Sequence, residues 1–395
     1  MKVFVTGMGL ISAIGNNVAE NLRSLKNTKT GIAKAEFLQS NYTSSILFGE
    51  VKKSNAELIK LTDSTSESGL TRTTLLSYVA VLESVADAKL NSNEIQSFET
   101  GFISSSTVEG MTHADELYSD TNLTGEPSEF VHSFGSGEHV HRVAKKLGIK
   151  GITSSINTAC SSSANAIMFG ARLIKSGRLN RVIVGGSDAL AKFTVNGFNS
   201  LMILTDEPCR PFDIDRKGLN LGEGAGYLVL EAESVCKGKK KYAEITGYGN
   251  ANDAHHPSAT SPEANGPKLA MQRALKIAKI NPSEIDYINA HGTGTVNNDE
   301  TELFAFSSVF EKTPPFNSTK SYTGHTLAAS GAIESILSIL SMNESELYPS
   351  LNCETPIGVA PISKIEKATI KTIMSNSFGF GGNCTSLVLK AVEKV

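Results

Sequence analysis

The amino-acid sequence predicts an α/β protein assembled from two similar halves. Three internal echoes carry that expectation. The β-rich run Val3-Phe4-Val5-Thr6-Gly7 returns as Glu244-Ile245-Thr246-Gly247-Tyr248-Gly249. The stretch Ala88-Lys89-Leu90-Asn91-Ser92-Asn93-Glu94-Ile95 returns as Ala278-Lys279-Ile280-Asn281-Pro282-Ser283-Glu284-Ile285. More loosely, an Ala/Ser-rich helix candidate opening at Cys160 has a counterpart opening at His325. Single echoes arise by chance among short α/β fragments, but three in the same order point to duplication. The charged surface turn KGKKK, inside 235–242, marks the division, giving expected halves of 1–240 and 241–395.

Taken in order, the opening β-rich run is followed by a helix-like stretch, 73–90, and a strand-like one, 99–105. Residues 107–145 carry many Ser, Thr, Glu and His without clear period, so they read as a long excursion lining a cavity or a partner surface. The helix expected over 160–176 leads to RVIVGGS, 181–187, a short apolar run ending in glycines, as a buried strand does. GAGYLVLE, 224–231, is another strand candidate. Beyond the turn, helix 267–280 and strand 285–290 repeat the first pattern, and a helix is expected over 325–341. Strands alternating with helices are the signature of an α/β layer fold.

Composition limits the function classes. The chain has 395 residues, 40% hydrophobic and 19% charged, as a folded protein of one large or two ordinary domains does. A formal net charge of −3 leaves no electrostatic footprint for nucleic acid. The five cysteines form no CxxC and no metal-ligand spacing with histidine, so neither a zinc site nor any other metal is expected. Their odd number suits a reducing compartment. MKVFVTGMG lacks the apolar core of a signal peptide, and no run of about 18 apolar residues is present. A cytoplasmic protein without a membrane span is expected. Val5-Thr6-Gly7-Met8-Gly9 imitates a dinucleotide fingerprint, but Ser12 stands at the third glycine position and no suitably placed acidic residue follows.

Of eight histidines, six (His113, His132, His139, His141, His255 and His256) have no motif around them and read as loop or surface residues. His291 opens HGTGT at a strand end, where Gly292 and Gly294 permit a tight turn and close approach of another molecule. His325 closes TGH before a helix, whose N-terminus disfavours imidazolium, and Lys320 lies five residues earlier. Either histidine alone could be a hydrogen-bonded structural residue; the pair beside glycines points to chemistry. Cys160, in INTACSSSANA, also stands at a candidate helix start, which favours the reactive thiolate. Taken alone it could equally be a packed small side chain. In Asn376-Ser377-Phe378-Gly379-Phe380-Gly381-Gly382-Asn383, three glycines in four positions can offer backbone N–H groups to an oxyanion, and the phenylalanines can gate an apolar channel.

Seven motifs together resemble those of the β-ketoacyl-acyl-carrier-protein synthases, condensing enzymes of the thiolase superfamily. They are VTGMGLISAIG, NTACSSSANAI, VGGSDAL, CRPFDIDRKGLNLGEGAG, NAHGTGT, STKSYTGHTLAASGAIE and SNSFGFGGNC, and they span nearly the whole chain. The resemblance implies a thiolase-like five-layered αβαβα sandwich of two similar halves. It implies a homodimer, or a heterodimer with a related ketosynthase-like subunit, that acts on acyl carrier protein. Cys160 matches the nucleophile, His291 and His325 the catalytic histidines, and Lys320 and Glu334 the residues that support them. The N–H groups of Cys160 and Phe380 match the oxyanion hole. Val108, Phe198, Met202, Phe378 and Phe380 are the implied channel residues. No metal and no cofactor is implied beyond the phosphopantetheine on the carrier. The implied reaction joins acyl-Cys160 to malonyl carrier with loss of CO2, the histidines binding the malonyl thioester oxygen or activating water.

Several positions depart from the family pattern. Ser161, Ser162, Ser163 and Asn165 make the helix start more polar than usual, and GGNC replaces GGTN at the end of the glycine loop. Met202 stands where fatty-acid-elongating members carry a carrier-docking arginine, leaving Arg72, Arg142 and Lys145 as candidates on charge alone. The loop HHPSATSPEANG, 255–266, is longer than usual. These departures keep fatty-acid synthesis and specialised polyketide or polyene synthesis both open. The alternatives are a non-catalytic chain-length-type partner subunit, or a thiolase using Cys384 as a second cysteine. Asn297, Asp299 and Glu302 are candidates for a structural cation.

Overall fold

The computed structural model of the protein describes residues 1–135 and 137–392; the last three residues of the expected second half lie outside them. Its strands are β1 (Val3–Ser12), β2 (Thr100–Ser104), β3 (Thr153–Ser155), β4 (Arg181–Asp188), β5 (Gly224–Ala232), β6 (Ala243–Asn252), β7 (Tyr287–Asn289), β8 (Phe316–Asn317), β9 (Glu346–Leu347), β10 (Glu366–Lys367), β11 (Thr372–Phe378) and β12 (Asn383–Lys390). Its α-helices are α1 (Val18–Lys26), α2 (Asn55–Leu61), α3 (Arg72–Asp87), α4 (Ser92–Ile95), α5 (Ala114–Leu123), α6 (Glu138–Leu147), α7 (Ser162–Lys175), α8 (Lys192–Ser200), α9 (Asn265–Ala278), α10 (Val296–Val309), α11 (Lys320–Thr323) and α12 (Ser330–Glu344).

Ten strands run in the order β3-β2-β4-β5-β1-β6-β12-β11-β7-β8. The order reads the same from both ends. β3, β2 and β4 are parallel and β5 and β1 antiparallel; β8, β7 and β11 are parallel and β12 and β6 antiparallel. Only Phe4 opposite Glu244 and Val5 opposite Ala243 join the two five-stranded sheets. α3 and α6 cover the outer face of one sheet and α9, backed by α10, that of the other. α7 and α12 lie between the sheets. α12 is buried from Ser330 to Met342, as an inner-layer helix must be. This is the thiolase-like αβαβα sandwich.

The echoes have physical causes. A Cβ on Gly7 or Gly9 would overlap the carbonyl oxygens of Ser84 and Ala80 in α3, and one on Gly247 or Gly249 those of Ala274 and Ala270 in α9. Each Thr-Gly-x-Gly run thus lets a helix backbone lie directly on a strand, which also explains the false dinucleotide fingerprint. Lys89 and Lys279 both turn left-handed (φ 52° and 56°), ending α3 and α9 two or three residues before the expected ends at 90 and 280. Asn91 with Glu94, and Asn281 with Glu284, then form matching capping boxes.

Three expectations are corrected. The helix expected to open at Cys160 begins at Ser162, and the one expected at His325 begins at Ser330, after a 3-10 turn at Leu327–Ala329. The excursion 107–145 contains α5, α6 and two short 3-10 turns. Within it, His139 is a buried residue rather than a surface one: Nδ1 lies 2.6 Å from the Glu109 carboxylate and Nε2 2.8 Å from Ser104 Oγ.

Candidate active site

Cys160 sits on the turn between β3 and α7. Ala159 before it adopts a left-handed conformation (φ 54°), a strained state for a residue with a Cβ. Ser162 Oγ accepts from the Thr158 N–H (2.8 Å) and donates to the Ala159 carbonyl (2.5 Å), holding the turn. His291 follows β7. Its N–H and that of Gly292 donate to the Glu302 carboxylate on α10, at 2.9 and 2.8 Å. His325 follows α11, and its N–H donates to the Asn220 carbonyl at 2.7 Å. Three loops from three parts of the chain therefore converge. The thiol and one ring nitrogen of each histidine lie within 4.8 Å of one another. The imidazoles meet edge to face at 5.4 Å.

Hydrogen bonds fix both tautomers. The Leu327 N–H donates to His325 Nδ1 at 3.2 Å, and Ser330 Oγ lies 3.1 Å from the same nitrogen. An acceptor Nδ1 puts the proton on Nε2. Lys320 Nζ lies 3.2 Å from His291 Nδ1, donates to the His291 carbonyl at 2.6 Å, and pairs with Glu334. An ammonium has only donors, so His291 also carries its proton on Nε2. Burial holds both imidazoles well below their usual pKa, and the Lys320 charge lowers them further. Two neutral imidazoles thus stand ready as N–H donors. An ammonium behind them disfavours a metal ion at the trio, although the trio has the separation of a ligand set.

The resting thiol differs from the expectation. Burial pushes Cys160 up to about 11, although the Lys320 ammonium and the N–H groups of Phe380 and Cys160 pull it down. The helix start lies two residues on, too far to outweigh that burial. The Phe380 and Cys160 N–H groups nevertheless both point at the sulfur as hydrogen-bond donors. Gly379 leaves room for this approach, since a Cβ there would crowd the Thr158 carbonyl (2.7 Å) and Cys160 nitrogen (3.1 Å).

Two cavities meet at Cys160. One, of about 240 Å³, has a mixed lining that includes His291, His325, Thr293, Thr295, Asn298 and Phe378. The other, of about 350 Å³, is apolar, with Val108, Met111, Phe193, Leu201 and Leu327 in its wall. Phe198 and Phe380 border both and stack on each other at 5.6 Å. Phe378 is buried against the His291 ring, at 5.8 Å. Of the expected channel residues, Met202 lines the mixed cavity, but a left-handed turn (φ 57°) after α8 leaves it 87% exposed there.

Other sequence candidates separate from the site. Arg72 is buried against Glu223, bonding it through Nε and Nη2, so it offers no docking surface. Arg142 is engaged by Glu138 and the Ser68 carbonyl. Lys145 lines a separate surface pocket beside α6. Cys384 is buried with its thiol toward the Gly382 carbonyl and lines neither cavity at Cys160. The proposed cation ligands face protein donors instead. Asp299 accepts from the Phe212 and Gly294 N–H groups, Glu302 from those of the HGTGT loop, and Asn297 bonds Thr260. Burial raises Glu302 to about 7.

Asp188 escaped the sequence reading. It accepts from the Thr107 and Val108 N–H groups (2.9 and 3.0 Å) and from the Ala328 N–H (2.8 Å), binding the apolar wall to the His325 segment. A lone aspartate ending the apolar run VIVGGSD was the available signal.

Comparison with known proteins agrees with this geometry. The β-ketoacyl synthase N-terminal domain matches residues 1–235 and the β-ketoacyl synthase C-terminal domain residues 242–354. 3-oxoacyl-[acyl-carrier-protein] synthase 2 of Staphylococcus aureus (strain MRSA252) is 34% identical, covering 100% of this chain and 99% of that protein. Among solved structures, the ishigamide ketosynthase/chain length factor superposes with a TM-score of 0.92 at 27% identity, covering 99% of each chain. A type II polyketide ketosynthase, bound to its acyl-carrier protein and the hexaketide, superposes at 0.88 with 28% identity, again over 99% of each chain. The chain belongs to the β-ketoacyl synthase family of condensing enzymes.

Proposed function

We propose that Cys160 takes an acyl group from a carrier thioester and that His291 and His325 direct its decarboxylative condensation with malonyl carrier. The observation that carries this reading is the convergence of one thiol, two Nε2–H donors and two backbone N–H groups where a cavity of mixed lining and an apolar one meet. The amide-bearing phosphopantetheine arm enters through the mixed cavity past Thr293, Thr295 and Asn298. The acyl chain lies in the apolar one.

Cys160 attacks the thioester carbon. The Cys160 and Phe380 N–H groups stabilise the oxyanion, each by roughly 3 kcal/mol. The thiol proton leaves with the pantetheine sulfur, and acyl-Cys160 remains. Malonyl carrier then binds, and its thioester oxygen receives the two Nε2–H groups. As CO2 departs, the pair of electrons from the broken C–C bond forms an enolate on that oxygen. The enolate carbon attacks acyl-Cys160, and the thiolate it expels regains a proton. The Lys320 ammonium, tied to Glu334, keeps His291 Nδ1 as an acceptor throughout. The chain needs no cofactor of its own in this scheme.

The relatives named above serve fatty-acid and polyketide synthesis, and both routes use this step. The related ketosynthase works beside a chain length factor. Here the apolar cavity reaches Phe193 and Leu201, both exposed, which fits closure by a second, similar subunit. We place the protein in the cytoplasm, where its five free cysteines stay reduced; among the described residues no helix is long and apolar enough to cross a membrane. We divide it into domains 1–240 and 241–395. The test is a two-stage assay. His291→Ala and His325→Ala still form acyl-Cys160 but lose condensation by at least about 100-fold; equal loss of both stages would contradict the roles assigned.

A further inference from the structure

The two departures around Cys160 and at the end of the glycine loop touch each other in the fold. Asn383 Oδ1 accepts from Ser161 Oγ (2.7 Å), Asn165 Nδ2 (2.9 Å) and Asn250 Nδ2 (2.9 Å). The donors come from three elements: the turn after Cys160, α7 and β6. Asn165 Nδ2 also donates to Thr158 Oγ1 (2.8 Å), and Asn165 Oδ1 accepts from Asn250 Nδ2 and the Thr385 hydroxyl, both at 2.9 Å. The two amide nitrogens can only donate, so they set the Asn383 oxygen, rather than its nitrogen, toward the Cys160 turn, where the one Ser161 O–H is shared between that oxygen and the Thr158 carbonyl (2.8 Å). The Asn383 carbonyl in turn accepts from the Gly379 N–H (2.8 Å), closing loop 379–383 on itself.

The arrangement bears on catalysis because the two N–H groups beside the sulfur belong to separate loops. Ser161 directly follows Cys160, and Phe380 stands three residues before Asn383. Ser161 and Asn383 lie 222 positions apart, so nothing covalent holds the loops in register. Gly381 and Gly382, after Phe380, are both left-handed, and the loop's backbone hydrogen bonds tie it to itself, Pro257 and Asp253 rather than to the Cys160 turn. A fixed acceptor bonded to the opposite turn supplies the missing constraint.

We propose that Asn383 is a positioning residue that registers the loop carrying the Phe380 N–H against the turn carrying the Cys160 N–H, and so sets the spacing of the two oxyanion donors. The proposal rests on the reading of those groups as an oxyanion hole. A thr-type residue at this position, as in the usual GGTN, has a shorter reach than the amide, and the more polar helix start supplies the matching donors.

Two reactions of the same sulfur separate this role from a general structural one. Acyl transfer from an acyl carrier forms a tetrahedral oxyanion. Alkylation by iodoacetamide displaces iodide and forms none. Asn383→Ala and Ser161→Ala are expected to lower kcat for acyl transfer about 10- to 100-fold. The KM for the acyl carrier and the alkylation rate corrected for the thiolate fraction stay within about twofold, since displacement of iodide forms no oxyanion; the uncorrected rate falls only as far as the thiol pKa rises when the Phe380 N–H shifts from the sulfur. Ser161→Thr, which keeps the hydroxyl, restores acyl transfer. If Asn383→Ala does not fold, the Ser161 pair decides alone. Unchanged acyl transfer in folded variants overturns the proposal. So does a parallel fall in the corrected alkylation rate, which would mean that the thiol itself has moved. A wild-type enzyme that accepts no acyl group from any carrier overturns the underlying reading, and this inference with it.

Discussion

Cys160 illustrates how far the residue scale depends on tertiary surroundings. Its role was legible only beside the two glycine-flanked histidines and the glycine loop, since a lone cysteine amid small residues is as readily packing. Its protonation state was not, because the burial that pushes the thiol up to about 11 comes from loops far away in sequence. Alkylation requires thiolate, whose fraction grows tenfold per pH unit below the pKa. The iodoacetamide rate at Cys160, with Cys160→Ala as the blank, should therefore climb about tenfold per unit from pH 7 to 9 and show no plateau below pH 10. A plateau near neutrality would mean that the helix start, and not burial, sets the thiol. His291, His325, Lys320 and Glu334 were legible for a different reason: each lies in a motif punctuated by glycine. The exposure of Met202 was not legible because it depends on one left-handed turn, nor was Asp188, because its partners are distant in sequence.

Among the elements, strands were read more closely than helix ends. β4 and β5 extend only one residue past the expected 187 and 231, since apolar runs bounded by glycine or charge leave little freedom. The helix after His325 was misplaced by five residues, because the 3-10 turn at Leu327–Ala329 has the same composition as the helix it precedes. The echoed glycines give the sharpest test at this scale. Gly9→Ala sets a Cβ against the Ala80 carbonyl and Gly249→Ala one against the Ala270 carbonyl, so each must push a helix off its strand. Each should destabilise the protein by about 1–3 kcal/mol in urea unfolding, while Gly125→Ala, with nothing within 4 Å, causes no clash. Equal effects at all three would show that the glycines do not serve helix packing. Gly125 is itself left-handed (φ 71°), so a modest strain is expected there too.

For the whole molecule, duplication was legible and the cavities were not. A sequence can repeat strand and helix signals, but a cavity's walls come from many segments, as the apolar one shows by drawing Val108, Gly197, Leu327 and Phe380 together. Gly197 lines that cavity, and a Cβ there meets nothing within 4 Å. Gly197→Phe should project into the space and shorten the longest acyl chain that loads, leaving the shortest acyl groups unaffected. Chain-length competition read by mass would check this; uniform loss at every length would place the acyl chain elsewhere.

The meeting of both cavities at one thiol is the central claim, and the intact mass of the protein tests it most directly. Wild type and Cys160→Ala would each be mixed with a panel of acyl carrier proteins. An acyl adduct on the wild type alone, mapped to Cys160, is the predicted result. An adduct that survives in Cys160→Ala, or none on the wild type with any donor, would contradict it.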